Sequence, residues 1–426
     1  MKLFYLWLYI LKRITIKVNY MQISSIDLSK KGYTEIPYSQ IDEDINWLIL
    51  SDNRLRVIDD RIKNLKQLTR LALNDNRIVE ICEEIGNCTG INWIDLTRNR
   101  LTDLPEGFAN LIKISGLGLS ENAFEKIPEC VYQLKNLRKF GFFSNKIRFI
   151  SKDIKFLKNL VKIDLSNNRI EEIPEELMTL TNLNWLNLSN NQIRTIPKSI
   201  NKLSKLEELG LGTNKIEELP DMSNLNSLRI FPIFKNRIKK IHKSIFKIKN
   251  IEKLDFSDNF ITEFPQEAIQ AEHLKYLNLR NNLISFIPSI NINPEGLSKI
   301  NMLDVSENKL EFLPFKLFKT FRQSTSIRLM NNPYVKKENK HPQTISLTEI
   351  CFTKILNKYR DTKITIDPWL NYIYQKTDYC DNCSDRFVTA PYLYYVESYF
   401  DPENKFVIEK TLCSSNCLKI CQKKDM

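Results

Sequence analysis

Glycine is scarce in this chain, with ten in 426 residues. Histidine is scarcer still: His242, His273 and His341 are the only three, and none stands in a motif with a partner cysteine or serine. No glycine-rich phosphate loop, Gly-x-Ser-x-Gly elbow or kinase signature occurs, so the sequence reads as a non-enzyme. Long apolar runs are also lacking. The longest, residues 3–11, has nine residues and is too short to span a bilayer, so no transmembrane helix is expected. The net charge of +12 is diffuse rather than gathered into a basic stripe. Nucleic acid is therefore not an expected partner, because phosphate binding needs clustered Lys and Arg.

Repetition is what the chain has in quantity. The stretch "IDLSNNRIEEIPEELMTLTNLNWLNLSNNQIRTIP", residues 163–197, states one phrase twice, around Asn168 and around Asn191. The template L-x-x-L-x-L-x-x-N-x-I places its Asn at Asn53, Asn76, Asn99, Asn122, Asn145, Asn168, Asn191, Asn214, Asn236, Asn259, Asn282, Asn308 and Asn332. The first seven steps are all 23 residues; one residue is then lost near Asp221 and three are gained near residues 292–297. A degenerate first copy, from Ile23, carries Lys31 where the Asn belongs. In "LNWLNLS" the alternation turns Leu186 and Leu188 inward and Trp185, Asn187 and Ser189 outward, as in a short strand. An Asn after each strand brings two donors and an acceptor, which suits a ladder between neighbouring coils. Proline after it (Pro105, Pro128, Pro174, Pro197, Pro220, Pro265, Pro288, Pro314) turns the chain out of the sheet into a short helical or irregular return. One copy cannot bury its leucines alone, whereas stacked copies can, so the fold class is an α/β solenoid with a concave parallel β-sheet.

The template resembles the leucine-rich repeat of the short, 23-residue intracellular type and is similar to Ras-suppressor and Ras-pathway scaffolds. The resemblance implies a horseshoe of about 14 repeats over residues 21–335. Residues 1–20 precede it as an apolar and basic extension, and residues 336–426 follow it as a small α+β C-terminal cap domain. It further implies a cytoplasmic protein–protein interaction scaffold that holds a protein partner on its concave face.

The residues expected on that face can be named. The outward position before the second Leu of each strand reads Trp47, Arg70, Trp93, Gly116, Lys139, Lys162, Trp185, Glu208, Ile230, Lys253, Tyr276 and Met302, and the next outward columns add Phe143 and Phe234. Trp, Tyr and Arg are the usual anchors of protein interfaces. Gly116, Gly118, Gly141, Gly210 and Gly212 fall on the same outward positions, where glycine marks close approach of another backbone. Partner-binding residues are therefore expected at Trp47, Trp93, Phe143, Trp185, Phe234 and Tyr276 and at these five glycines. The competing reading is that the aromatics pack on neighbouring columns and stiffen the sheet.

Two constellations stand in the tail. "SLTEICFTKI", residues 346–355, opens with a capping box, Ser346 and Glu349, and sets Leu347, Ile350, Cys351 and Ile355 on one helical face. It also resembles the elongin-binding box of ubiquitin-ligase substrate receptors, with Leu347 and Cys351 as the partner contacts. The following "TIDPWLNYI" partly resembles the cullin-selecting element, through Pro368, Trp369, Tyr372 and Ile373. A substrate receptor for an elongin/cullin-type ligase and a helix that only caps the last repeat are both open. Cys380 and Cys383, then Cys413 and Cys417, resemble a four-cysteine structural zinc site, against reduced thiols or a disulfide pair. Cys82, Cys88 and Cys130 read as small buried hydrophobes. Residues 1–20 are open between a non-structural extension, an apolar cap, and a signal or interfacial anchor; the last would make the protein a secreted effector.

Overall fold

The computed structural model describes residues 24–288, 299–321 and 324–335, together with 378–379, 386–387, 392–401, 404–412, 417 and 420–422 of the tail. The chain divides into two compact units, residues 1–141 and 142–426.

In the first unit six three-residue strands run parallel in chain order: β1 Ser25–Asp27, β2 Trp47–Ile49, β3 Arg70–Ala72, β4 Trp93–Asp95, β5 Gly116–Gly118 and β6 Lys139–Gly141. The middle residue of strands β2 to β6 (Leu48, Leu71, Ile94, Leu117, Phe140) is almost wholly buried, as the alternation requires. The degenerate first copy is a real strand: Ile26 pairs with Leu48, and the Lys31 amide donates to Asn53 Oδ1 at 3.0 Å.

The second unit repeats the plan with eight parallel strands: β7 Lys162–Asp164, β8 Trp185–Asn187, β9 Glu208–Gly210, β10 Ile230–Pro232, β11 Lys253–Asp255, β12 Tyr276–Asn278, β13 Met302–Asp304 and β14 Ser326–Arg328. Leu183, Leu186 and Leu188 are buried while Trp185, Asn187 and Ser189 are half-exposed, so the two faces fall as the alternation places them.

The asparagines form the ladder that their chemistry suggests. Asn191 Nδ2 donates to the carbonyl of Leu165 in the preceding coil and of Leu188 in its own, each at 3.0 Å, and its Oδ1 accepts from the Ile170 amide at 3.0 Å. Every described copy also holds the residue before its Asn, or before Lys31 in the first copy, at a positive φ, between 52° and 58°, including Arg98, Glu121, Thr213 and Lys235. Such residues rarely adopt this conformation. The turn is held because it aims an amide at the next coil: Arg98 N donates to the Ser120 carbonyl at 3.0 Å and Asp258 N to that of Arg280 at 2.9 Å.

Proline ends the strand's loop in many copies, and a five-residue 3-10 helix follows Pro105, Pro128, Pro174, Pro197 and Pro265. Where proline is missing, Asp59 and Ser151 cap the turn with a side-chain oxygen. The copy that lost a residue at Asp221 has no such helix; Asn201 Nδ2 donates to the Asp221 carbonyl and Ser244 Oγ accepts from the Met222 amide to fill its place. In the tail, β15 Tyr392–Asp401 and β16 Asn404–Leu412 form an antiparallel hairpin, and β16 pairs with the two residues Leu313 and Pro314. Leu412, Cys417 and Cys421 are buried there. The expected insertion at residues 292–297 and the expected cap helix at 346–355 lie outside the described residues, as do residues 1–20.

Candidate functional site

The outward row is a true row, because the strands pair with no stagger. In the first unit Trp47, Arg70, Trp93, Gly116 and Lys139 are successive ladder partners. The Arg70 guanidinium sits 5.4 Å from the Trp47 ring centroid, a cation–π stack that leaves the arginine exposed. Trp93 leans the other way, across Gly116: a methyl at Gly116 would come within 2.7 Å of its Cδ1.

The expected bare glycine floor is thus occupied. Asp95 Oδ1 and Thr97 Oγ1 fill the space above Gly118, and Ser120 Oγ that above Gly141. Parallel strands lie roughly 4.8 Å apart, so a large side chain can lean onto the next strand, and a glycine there gives a seat to its neighbour's ring or carboxylate. Gly116→Ala is expected to lift the Trp93 indole into water. In a background where the other tryptophans are replaced by phenylalanine, its fluorescence should shift to the red at a stability cost of about 1 kcal/mol; an unshifted spectrum would contradict the seat.

The second unit has its own row: Lys162, Trp185, Glu208, Ile230, Lys253, Tyr276 and Met302. Trp185, Ile230 and Tyr276 are half-buried, as are Phe143 and Phe234 on the outward column nearer the turn. The Phe234 ring lies back over Gly212, within 2.7 Å of where a Cβ would stand, while Gly210 yields to Asn187 Oδ1. Strand β10 is apolar at all its outward positions, since Pro232 lies between Ile230 and Phe234. Pro232 has no amide to give, and the ladder between β9 and β10 keeps only the Glu208–Ile230 pair. At one end of these strands Glu252 takes both Arg229, at 2.7 Å, and Lys275, at 3.1 Å. The Arg229 hydrogen bond, then that of Lys275, holds the Glu252 carboxyl below the usual carboxylate range. Burial, with Asp255 and Asp304 nearby, raises the Tyr276 phenol.

The residues 126–333 match the family model described as "Leucine-rich repeat region". A leucine-rich repeat protein of Leptospira interrogans is 27% identical, with a TM-score of 0.63 over 76% of this chain and 79% of that one. Each unit has the fold of a leucine-rich-repeat solenoid. An internalin from Listeria monocytogenes shares the fold at 22% identity and a TM-score of 0.61, over 74% of this chain and 88% of its own. So does the structure of the Toll–Spätzle complex from Drosophila, at 22% identity and a TM-score of 0.56, over 68% of this chain and 45% of that one. No curated protein matches the sequence.

Elsewhere on the leucine-rich-repeat units the side chains serve the stack. A cleft of about 830 Å³ in the second unit is lined by Glu217, Glu218, Lys239, Lys240, His242, Lys243, Glu263 and Glu267, with Lys240 and Glu263 paired at 3.0 Å. His242 Nδ1 lies 2.7 Å from Ser244 Oγ, but that hydroxyl is 2% exposed and is engaged by the Met222 amide, so the pair offers no surface nucleophile. Cys88 and Cys130 are buried, and burial pushes their thiols up to about 11 and about 12; Cys82 is half-buried and also raised. Leu347, Cys351, Cys380, Cys383 and Cys413 lie outside the described residues, and Cys417 is buried. Among the described residues no three His, Cys, Asp or Glu gather in a metal-holding group, and no helix is long and apolar enough to cross a membrane.

The seats under Trp93 and Phe234 and the Arg229–Glu252–Lys275 chain escaped the sequence reading. The signal was there, in columns: Arg229, Glu252 and Lys275 are 23 residues apart, as are Trp93 and Gly116.

Proposed function

We propose that this leucine-rich-repeat protein is a non-enzymatic scaffold that holds a protein partner on the outward face of its sheet. The observation that carries the reading is the composition of the paired rows. Trp47 and Trp93 in one unit, with Arg70 exposed between them, and Trp185, Ile230 and Tyr276 in the other, stand half-buried on strands where solvated solenoids need only polar residues. Trp, Tyr and Arg dominate the binding energy of protein interfaces, and two of the rings here are already fixed by their neighbours, which lowers the ordering cost of binding.

Trp185→Ala tests this. Once a partner is in hand, the substitution should weaken it by more than about 1 kcal/mol, roughly fivefold or more. Thermal unfolding should stay nearly unchanged, since the ring packs on a surface rather than in the core. Full affinity in both Trp185→Ala and Trp47→Ala would remove the face from the account.

A further inference from the structure

Three charges on the outward row of the second unit have no ion-pair partner among the described residues. Strand pairing sets Lys162, Trp185, Glu208, Ile230, Lys253 and Tyr276 side by side on six successive strands. Charged and apolar residues alternate along this row, and the charges alternate in sign. Among the described residues none of Lys162, Glu208 and Lys253 joins an ion pair, although Arg229, Glu252 and Lys275 one position earlier are tied to one another. In the next outward row the two central strands carry Gly210 and Pro232, so no long side chain stands beside the alternating one.

Spacing decides what fits. Neighbouring strands repeat at roughly 4.8 Å, and the turns of an α-helix at about 5.4 Å. A helix laid across the strands therefore offers one side chain to each strand, at i, i+3 or i+4, i+7 and so on, with a drift of only about 0.6 Å per step. An extended segment repeats its same-side residues at roughly 6.7 Å and would slip by a whole strand within about three steps. A polyanion would meet Glu208 in the middle of its path.

We propose that this row seats an amphipathic α-helix of the partner protein, lying across the strands, whose contacting face reads acid, apolar, base, apolar, acid, apolar from Lys162 to Tyr276. The idea rests on the reading of the sheet face as the protein-binding surface. It adds the form and charge order of the bound segment.

Two displayed peptide libraries panned against the full chain test it: one of helices on a fixed scaffold with six face positions randomised, one of unstructured linear peptides. The helix library should yield binders that carry the stated charge order. Against the variant Lys162→Glu, Glu208→Lys, Lys253→Glu, those binders should lose roughly tenfold or more in affinity, and panning on that variant should return the opposite order. Helical binders without a charge order, or no helical binders at all, overturn the proposal. If only linear binders emerge and they weaken in Trp185→Ala, the binding face stands and the helix falls. If binders from both libraries ignore Trp185→Ala and the charge variant alike, both readings fall.

Discussion

Replacement of Asn282 by alanine should be among the most damaging single changes in the chain, at about 3 kcal/mol or more. Asn282 is 3% exposed and donates to the carbonyls of Phe256 and Leu279, each at 3.0 Å, while its Oδ1 accepts from the Ile261 amide at 2.9 Å. Alanine leaves three backbone groups without that partner inside the coil, each costing roughly 1 to 3 kcal/mol. Aspartate at this position should fare little better, because it lacks the donors for the two carbonyls. Urea denaturation of wild type and variant measures the difference, and amide exchange should rise first in the coils of Phe256 and Leu279. A loss below about 1 kcal/mol would mean that the ladder contributes little beyond packing.

Gly107→Ala should cost about 2 to 3 kcal/mol, at the high end of what overpacking does. The 3-10 helices Glu83–Asn87 and Glu106–Asn110 meet through Gly86 and Gly107. A methyl on Gly107 would land on the Glu83 carbonyl, and one on Gly86 on the Gly107 carbonyl. Neither can swing aside, since both obstacles are backbone. Glu83 fixes the approach further, its carboxylate accepting from the amides of Glu106 at 3.1 Å and Gly107 at 2.6 Å. Gly210→Ala is the control: its methyl meets the Asn187 side chain, which can rotate, and should cost less than about 1 kcal/mol. Equal melting temperatures for the two variants would contradict this distinction.

The recurring Asn and the two-residue alternation of Leu186 and Leu188 make the solenoid readable in the sequence, because both signals are local and the Asn recurs thirteen times. The row of outward residues was readable for the same reason: pairing with no stagger makes sequence columns into spatial rows. What the columns hold could be named, but not how neighbours share space. Gly116 looked like open floor, and only the lean of Trp93 shows it as a seat. Arg98, Thr213 and Lys235 gave no hint of a left-handed turn, since their own preferences oppose it and the coil-to-coil amide bonds impose it. The order Lys162, Glu208, Lys253 stood in the sequence column, but that these charges join no ion pair among the described residues while Arg229, Glu252 and Lys275 are tied to one another shows only in the structure.

The most direct test of the binding face is a photo-crosslink. Benzoylphenylalanine is placed at Lys253, on the outward row, or at Lys247, in the 3-10 helix Lys243–Lys247 behind it. Both positions are exposed, so reaction depends only on where the partner lies. The account predicts a covalent adduct with a single protein from position 253 and none from position 247. An adduct from 247 alone would contradict it.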